Sequence, residues 1–79
     1  MHELIGKRVR VRMRTISERS GSVVLPVYGT LMGIDGTSAR LTDVLMYLDD
    51  GSKLEIHGDF IFDVEDGHVV DVTSAETKG

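Results

Sequence analysis

Between Lys7 and Thr15 the chain alternates without a break: Val9, Val11 and Met13 on one parity, Arg8, Arg10, Arg12 and Arg14 on the other. A period of two is that of an extended strand, which sends the apolar side chains to one face and the guanidinium groups to the opposite one. On a helix the same residues would spread around the axis. This segment therefore needs a sheet with one buried side and one basic side.

The rest of the chain is compatible with that demand. Residues 23–34 are rich in β-branched side chains but carry Pro26, Gly29 and Gly33. Pro26 has no ladder donor, so it belongs at an edge, a bulge or a strand start. The two glycines permit a sharp bend, and Gly33 is expected at that bend, where a side chain is not tolerated. Asp35-Gly36-Thr37 is a turn signal, followed by a third strand over 38–48. Asp49-Asp50-Gly51-Ser52 is a second turn, after which 53–57 and 60–65 read as short strands. Asp66-Gly67 is a two-residue hairpin signal before a sixth short strand over 68–72. Leu4-Ile5 fits a helical turn, and no segment supports a helix of ten or more residues. The expectation is an all-β domain over residues 1–73: a small, strongly bent, antiparallel five-stranded barrel with a short extra C-terminal strand. Residues 74–79 lack apolar periodicity and are expected to fray.

A chain of 79 residues buries only about 60% of the surface that its unfolded form exposes, so its core needs reinforcement. Cysteine is absent, which removes disulfides and Cys-based zinc sites. His2, His57 and His68 lie far apart in sequence, and neither a metal nor a cofactor is expected. Oligomerisation is the remaining device. No apolar run approaches the roughly 18 residues of a membrane span. The opening Met-His-Glu-Leu-Ile-Gly does not have the pattern of a secretory signal, so the expected location is cytoplasmic and off the membrane. The net charge of −4 argues against bulk, non-specific nucleic-acid binding. The charge is nonetheless polarised. Residues 1–20 hold six bases against two acids, and residues 41–79 hold ten acids against two bases. Such asymmetry implies either a local surface for a polyanion or two ends of the chain that neutralise each other.

Gly29-Thr30-Leu31-Met32-Gly33-Ile34-Asp35 resembles the opening of the first Sm motif, and Ala39-Arg40-Leu41-Thr42-Asp43-Val44 resembles the strand that completes it. Residues 56–64, Ile-His-Gly-Asp-Phe-Ile-Phe-Asp-Val, resemble the second Sm motif. Leu4-Ile5-Gly6-Lys7-Arg8-Val9-Arg10-Val11 looks like the start of the family's first strand. The chain thus resembles the Sm-like (Sm/LSm) RNA-binding family over residues 4–64. It departs from the pattern at three places. The loop after Asp35 is one residue shorter, Gly36 and Thr37 stand where a base-stacking side chain is usual, and His57 replaces the arginine of the second motif. The resemblance implies a bent five-stranded barrel whose fourth strand pairs with the fifth strand of a neighbouring copy. Repetition of that contact closes a homo-oligomeric ring of five to seven copies and removes every open sheet edge.

The resemblance also implies an RNA-binding site at Asp35, Thr37, Ser38, His57, Gly58 and Asp59, with Ser38 and His57 at a base edge and Gly58 allowing close approach. The plainer account is that Asp35 and Asp59 stabilise turns and Gly58 takes an unusual φ. The stripe Arg8, Arg10, Arg12 and Arg14 reads as a candidate phosphate-contacting face. Its plainer account is cross-strand pairing with acids on a neighbouring strand, such as Asp63 and Glu65. Gly29, Gly33 and Gly36 lack the spacing and the helix of a phosphate loop. Asp49-Asp50-Gly51 lacks the ligand positions of a calcium loop. Phe60 and Phe62 read as core residues. No nucleophile elbow or paired acids stand out, so the chain is not expected to be an enzyme. Two functions compete: a ring that binds RNA, or another single-stranded nucleic acid, as a chaperone or scaffold, and a structural or protein-interaction ring that has lost RNA binding.

Overall fold

The alternation of residues 7–15 becomes the first strand of an all-β domain. The computed structural model describes residues 2–18 and 21–75. A 3-10 turn at His2–Leu4 precedes β1 (Arg8–Ser17), β2 (Gly21–Asp35), β3 (Ser38–Tyr47), β4 (Lys53–Ile56), β5 (Phe60–Asp63) and β6 (Val69–Ser74). All six strands form one antiparallel sheet in the order β4-β3-β2-β1-β6, with β5 on the same edge of β3 as β4. Among the described residues the strands form this one open sheet rather than the expected closed five-stranded barrel: its path ends at β4 and β5 on one side and at β6 on the other.

The inner face collects the odd residues of the first hairpin. Val9 and Val11 of β1, Val27 and Leu31 of β2, Ala39, Leu41 and Val44 of β3, and Phe62 of β5 form one buried cluster. Leu4, Met13, Ile34, Met46, Ile56, Phe60, Val64, Val69 and Val72 pack around it. A single sheet builds such a core by curling round its own face, and the bends that allow this are irregularities in the ladders. On β2 the register slips between Leu31 and Gly33, leaving Met32 as the extra residue. On β3 the slip falls between Thr42 and Leu45, where Asp43 adopts a φ of 53°. Opposite that bulge, residues 57–59 break the edge strand into β4 and β5, and Gly58 has a φ of 93°. Glycine is the one residue without steric penalty there.

The constraint expected at Gly33 lies instead at Gly29. A Cβ on Gly33 would meet nothing within 4 Å, whereas one on Gly29 would stand 3.0 Å from Leu41 Cβ and 3.3 Å from the Thr42 carbonyl oxygen. Gly33 is beside the bulge, facing Arg40, but Gly29 is where two strands approach closely.

The Asp66-Gly67 hairpin does not form. β5 and β6 do not pair; the turn carries the chain from the edge of β3 to the edge of β1, where Val72 lies opposite Val11 and Val69 opposite Met13. Burial of these valines beside β1 outweighs the local hairpin preference. Asp66 holds the turn, its Oδ1 accepting from the His68 amide at 2.9 Å. β6 is thus the strand that lines the first strand, not an addition to a finished barrel. It includes Ser74, and the Ala75 amide donates to the Arg8 carbonyl at 2.9 Å, so the expected frayed tail starts later than residue 74. Residues 76–79 lie outside the described residues.

Candidate nucleic-acid interface

The even residues of β1 occupy the outer face. In the β1–β2 register Arg8 stands opposite Thr30, Arg10 opposite Tyr28, Arg12 opposite Pro26 and Arg14 opposite Val24. On the other flank Arg10 faces Thr73 and Arg12 faces Asp71. Tyr28 in turn faces Leu45, which faces Glu55, so one row runs Thr73, Arg10, Tyr28, Leu45, Glu55 across five strands. Beside it Tyr47 faces Lys53. The rings of Tyr28 and Tyr47 meet edge to face, with centroids 5.5 Å apart, and Lys53 Nζ lies 5.8 Å from the centre of the Tyr47 ring. Both distances suit the ring quadrupole.

The arginines do not share one environment. Arg12 is bound to Asp71 through both carboxylate oxygens, with Nε to Oδ1 at 2.9 Å. That bond, more than charge alone, holds the Asp71 carboxyl below its ordinary range and raises Arg12; Arg10 adds to the field on Asp71. Asp71 is therefore the acidic neighbour of the stripe, in place of Asp63 and Glu65. Asp63 instead accepts from the Glu65 amide at 2.9 Å. Arg8 donates to Thr30 Oγ1 at a long 3.4 Å. Arg10 Nε and Thr73 Oγ1, cross-strand neighbours, are both buried without a hydrogen-bond partner.

The residues expected at an RNA site fall into two groups. Asp35, Thr37 and Ser38 are exposed at the β2–β3 turn, where Asp35 and Ser38 pair across the ladder. The Thr37 carbonyl accepts from the Val64 amide at 2.8 Å, tying the turn to the end of β5. Asp35 and Ser38 line a groove with Gly33, Arg40 and Ile61. His57, Gly58 and Asp59 belong to the break between β4 and β5. His57 lines a different groove, with Arg8, Asp43, Leu45 and Glu55. Asp59 stands 3.6 Å from Arg40, an exposed ion pair of small energetic weight. Ser38 lies opposite Asp63, whereas the break lies beside Asp43. Along β3 this separation is about 13 Å or more. Ser38 and His57 thus line different grooves, while Asp59 reaches Arg40 at the groove of Ser38.

Tyr28, Tyr47 and Lys53 carry no motif that marks them in the sequence. Their parity was visible, but their meeting with the arginines depends on the β1–β2 register. Pairing of Ser17 with Gly21 fixes that register, and then Arg10 must face Tyr28. Among the described residues no group of three His, Asp or Glu side chains could hold a metal ion, and no helix is long and apolar enough to cross a membrane. No family model, no curated protein and no solved structure matches the chain.

Proposed function

We propose that this chain is an Sm-like barrel subunit that assembles with copies of itself into a closed ring and binds RNA as a chaperone or scaffold, without changing a covalent bond. The observation that carries the reading is the pair of open edges. Among the described residues, β4 and β5 offer unpaired backbone on one side of the sheet and β6 offers it on the other. Apolar side chains stand exposed along both: Leu54 at 48% and Ile61 at 65% on the first edge, Val70 at 40% on the second. The resemblance implies pairing of the fourth strand with a neighbour's fifth, but here β4 and β5 share one edge. The head-to-tail contact therefore becomes antiparallel addition of one copy's β6 to the β4–β5 edge of the next, which satisfies both edges and gives a ring where the rotation closes. Five to seven copies is the expected size, and the cytoplasm the expected place of action.

A ring multiplies weak sites. His57 and Arg8 in their groove supply donors for a base edge or a phosphate, and identical grooves at regular spacing let one strand engage several in turn. Affinity for RNA is then expected to rise with oligonucleotide length far more than with base identity. Fluorescence anisotropy with oligonucleotides of increasing length tests this, and length-independent affinity contradicts it. The second reading, a structural ring that does not bind RNA, is favoured by the net charge of −4 and by the separation of Ser38 from His57. Absence of binding at low salt, with the ring intact, would select it.

A further inference from the structure

We infer that single-stranded RNA lies across the outer face of the sheet, with phosphates on Arg8, Arg10 and Arg14 and a base against Tyr28 or Tyr47. This inference rests on the RNA-binding reading above, and it assigns the main contact to residues outside both loop groups.

The whole chain is at −4, yet Arg8, Arg10, Arg12, Arg14 and Lys53 share this face with Asp71, Glu55 and, in the groove beside Arg8, Asp43, still a local excess of cations. Asp71 is committed to Arg12, whose guanidinium it engages through both oxygens. Arg10 Nε has no acceptor, Arg8 has only a long contact to a hydroxyl, and among the described residues no ion pair ties Arg14 to an acid. Arg8 and Arg14 are the more open of the three, because Arg10 Nε is itself buried. Among the described residues none of these three guanidinium groups is committed to an acid, on an otherwise acidic protein that repels polyanions elsewhere. That asymmetry selects where a polyanion lands.

Geometry then favours a single strand over a duplex or a free phosphate. Residues two apart on β1 repeat at roughly 7 Å, a spacing that an extended, unstacked nucleotide backbone can follow. The tyrosines lie in the neighbouring column, Tyr28 directly opposite Arg10. A strand whose phosphates track β1 therefore brings its bases over β2 and β3. Base–aromatic stacking tolerates any sequence and requires unpaired bases. Leu45 connects the two parts of the track, since it stands opposite Tyr28 and also lines the groove of Arg8 and His57.

The test is anisotropy titration of labelled oligo-uridine, oligo-adenosine and oligo-deoxythymidine with the full chain at several salt concentrations. Tyr28→Leu is expected to weaken binding about fivefold to a hundredfold. Arg10→Gln and Arg14→Gln are each expected to reduce the salt slope by about 0.7. Tyr47→Leu serves as the second aromatic variant, and thermal melting shows that each variant folds. Equal affinity for the RNA and DNA probes would mean that the face reads backbone and bases without the 2′-hydroxyl, and it supports the stacking account. If folded Tyr28→Leu and Tyr47→Leu bind as the wild type while His57→Ala loses binding, the RNA reading stands and this face is overturned as the site. If the wild type binds no probe at low salt, both fall.

Discussion

The inner three strands and the outer three are built differently. β1, β2 and β3 supply Val9, Val11, Val27, Leu31, Ala39, Leu41 and Val44, all buried. β4 and β6 supply no fully buried side chain and β5 supplies only Phe62. The inner strands are long enough to bend and to be paired on both sides; the outer ones are four to six residues and paired on one. A domain made this way has a firm centre and an open periphery. Open edges with Leu54, Ile61 and Val70 exposed are a hazard in an isolated chain and a contact surface in an assembly.

The sharpest way to break this comparison is at the centre. Leu41→Ala removes a fully buried side chain that packs against Gly29 and is expected to cost about 2–5 kcal/mol in urea unfolding. In so small a domain this suffices to lose folded protein. Next comes the close approach of β2 and β3. Gly29→Val forces a side chain against Leu41 and the Thr42 carbonyl, at an expected cost of about 1–3 kcal/mol. Gly33→Ala enters open space and is expected to stay within about 1 kcal/mol of the wild type. Equal effects at the two glycines would show that the bend, not the approach, constrains β2.

The periphery responds to a different variable. If copies complete the edges, thermal stability rises with protein concentration, as for any equilibrium that couples folding to association. Ile61→Lys is expected to abolish that dependence while changing the stability of the isolated chain by no more than about 0.5 kcal/mol. The smallest expected effect lies on the outer face. Asp71 is held below its ordinary range by Arg12, so this pair's contribution is present above the unfolded aspartate value and disappears as pH falls through the folded one. Asp71→Asn should therefore flatten the loss of stability below about pH 4. The pair is exposed, so the change is modest and shrinks with added salt. Melting curves from pH 2 to 7 at two salt concentrations check it.

Strand content was legible because period two is a local property. Each of the six strands falls within about two residues of its expected limits, since the turn residues Asp35-Gly36, Asp50-Gly51 and Asp66-Gly67 mark the boundaries. Pairing was less legible. Asp66-Gly67 carries a hairpin signal in its own four residues, but the partner of β6 is decided by where Val69 and Val72 find apolar cover, a non-local property. The same limit separated the candidate site residues. A motif gives the order of Ser38 and His57 but not the bulge at Asp43 that carries the edge strand from one groove to the other. Tyr28 escaped notice because its face is defined only once β1 and β2 are in register.

Completion of the two unfinished edges by further copies of this chain would fix the size of the particle in solution. Light scattering at micromolar concentration tests it most directly, with the wild type beside an Ile61→Lys, Val70→Lys double variant that charges both edges. A particle of five to seven copies is expected for the wild type and a folded monomer for the variant. A wild type that remains a stable monomer or a simple dimer at that concentration would contradict it.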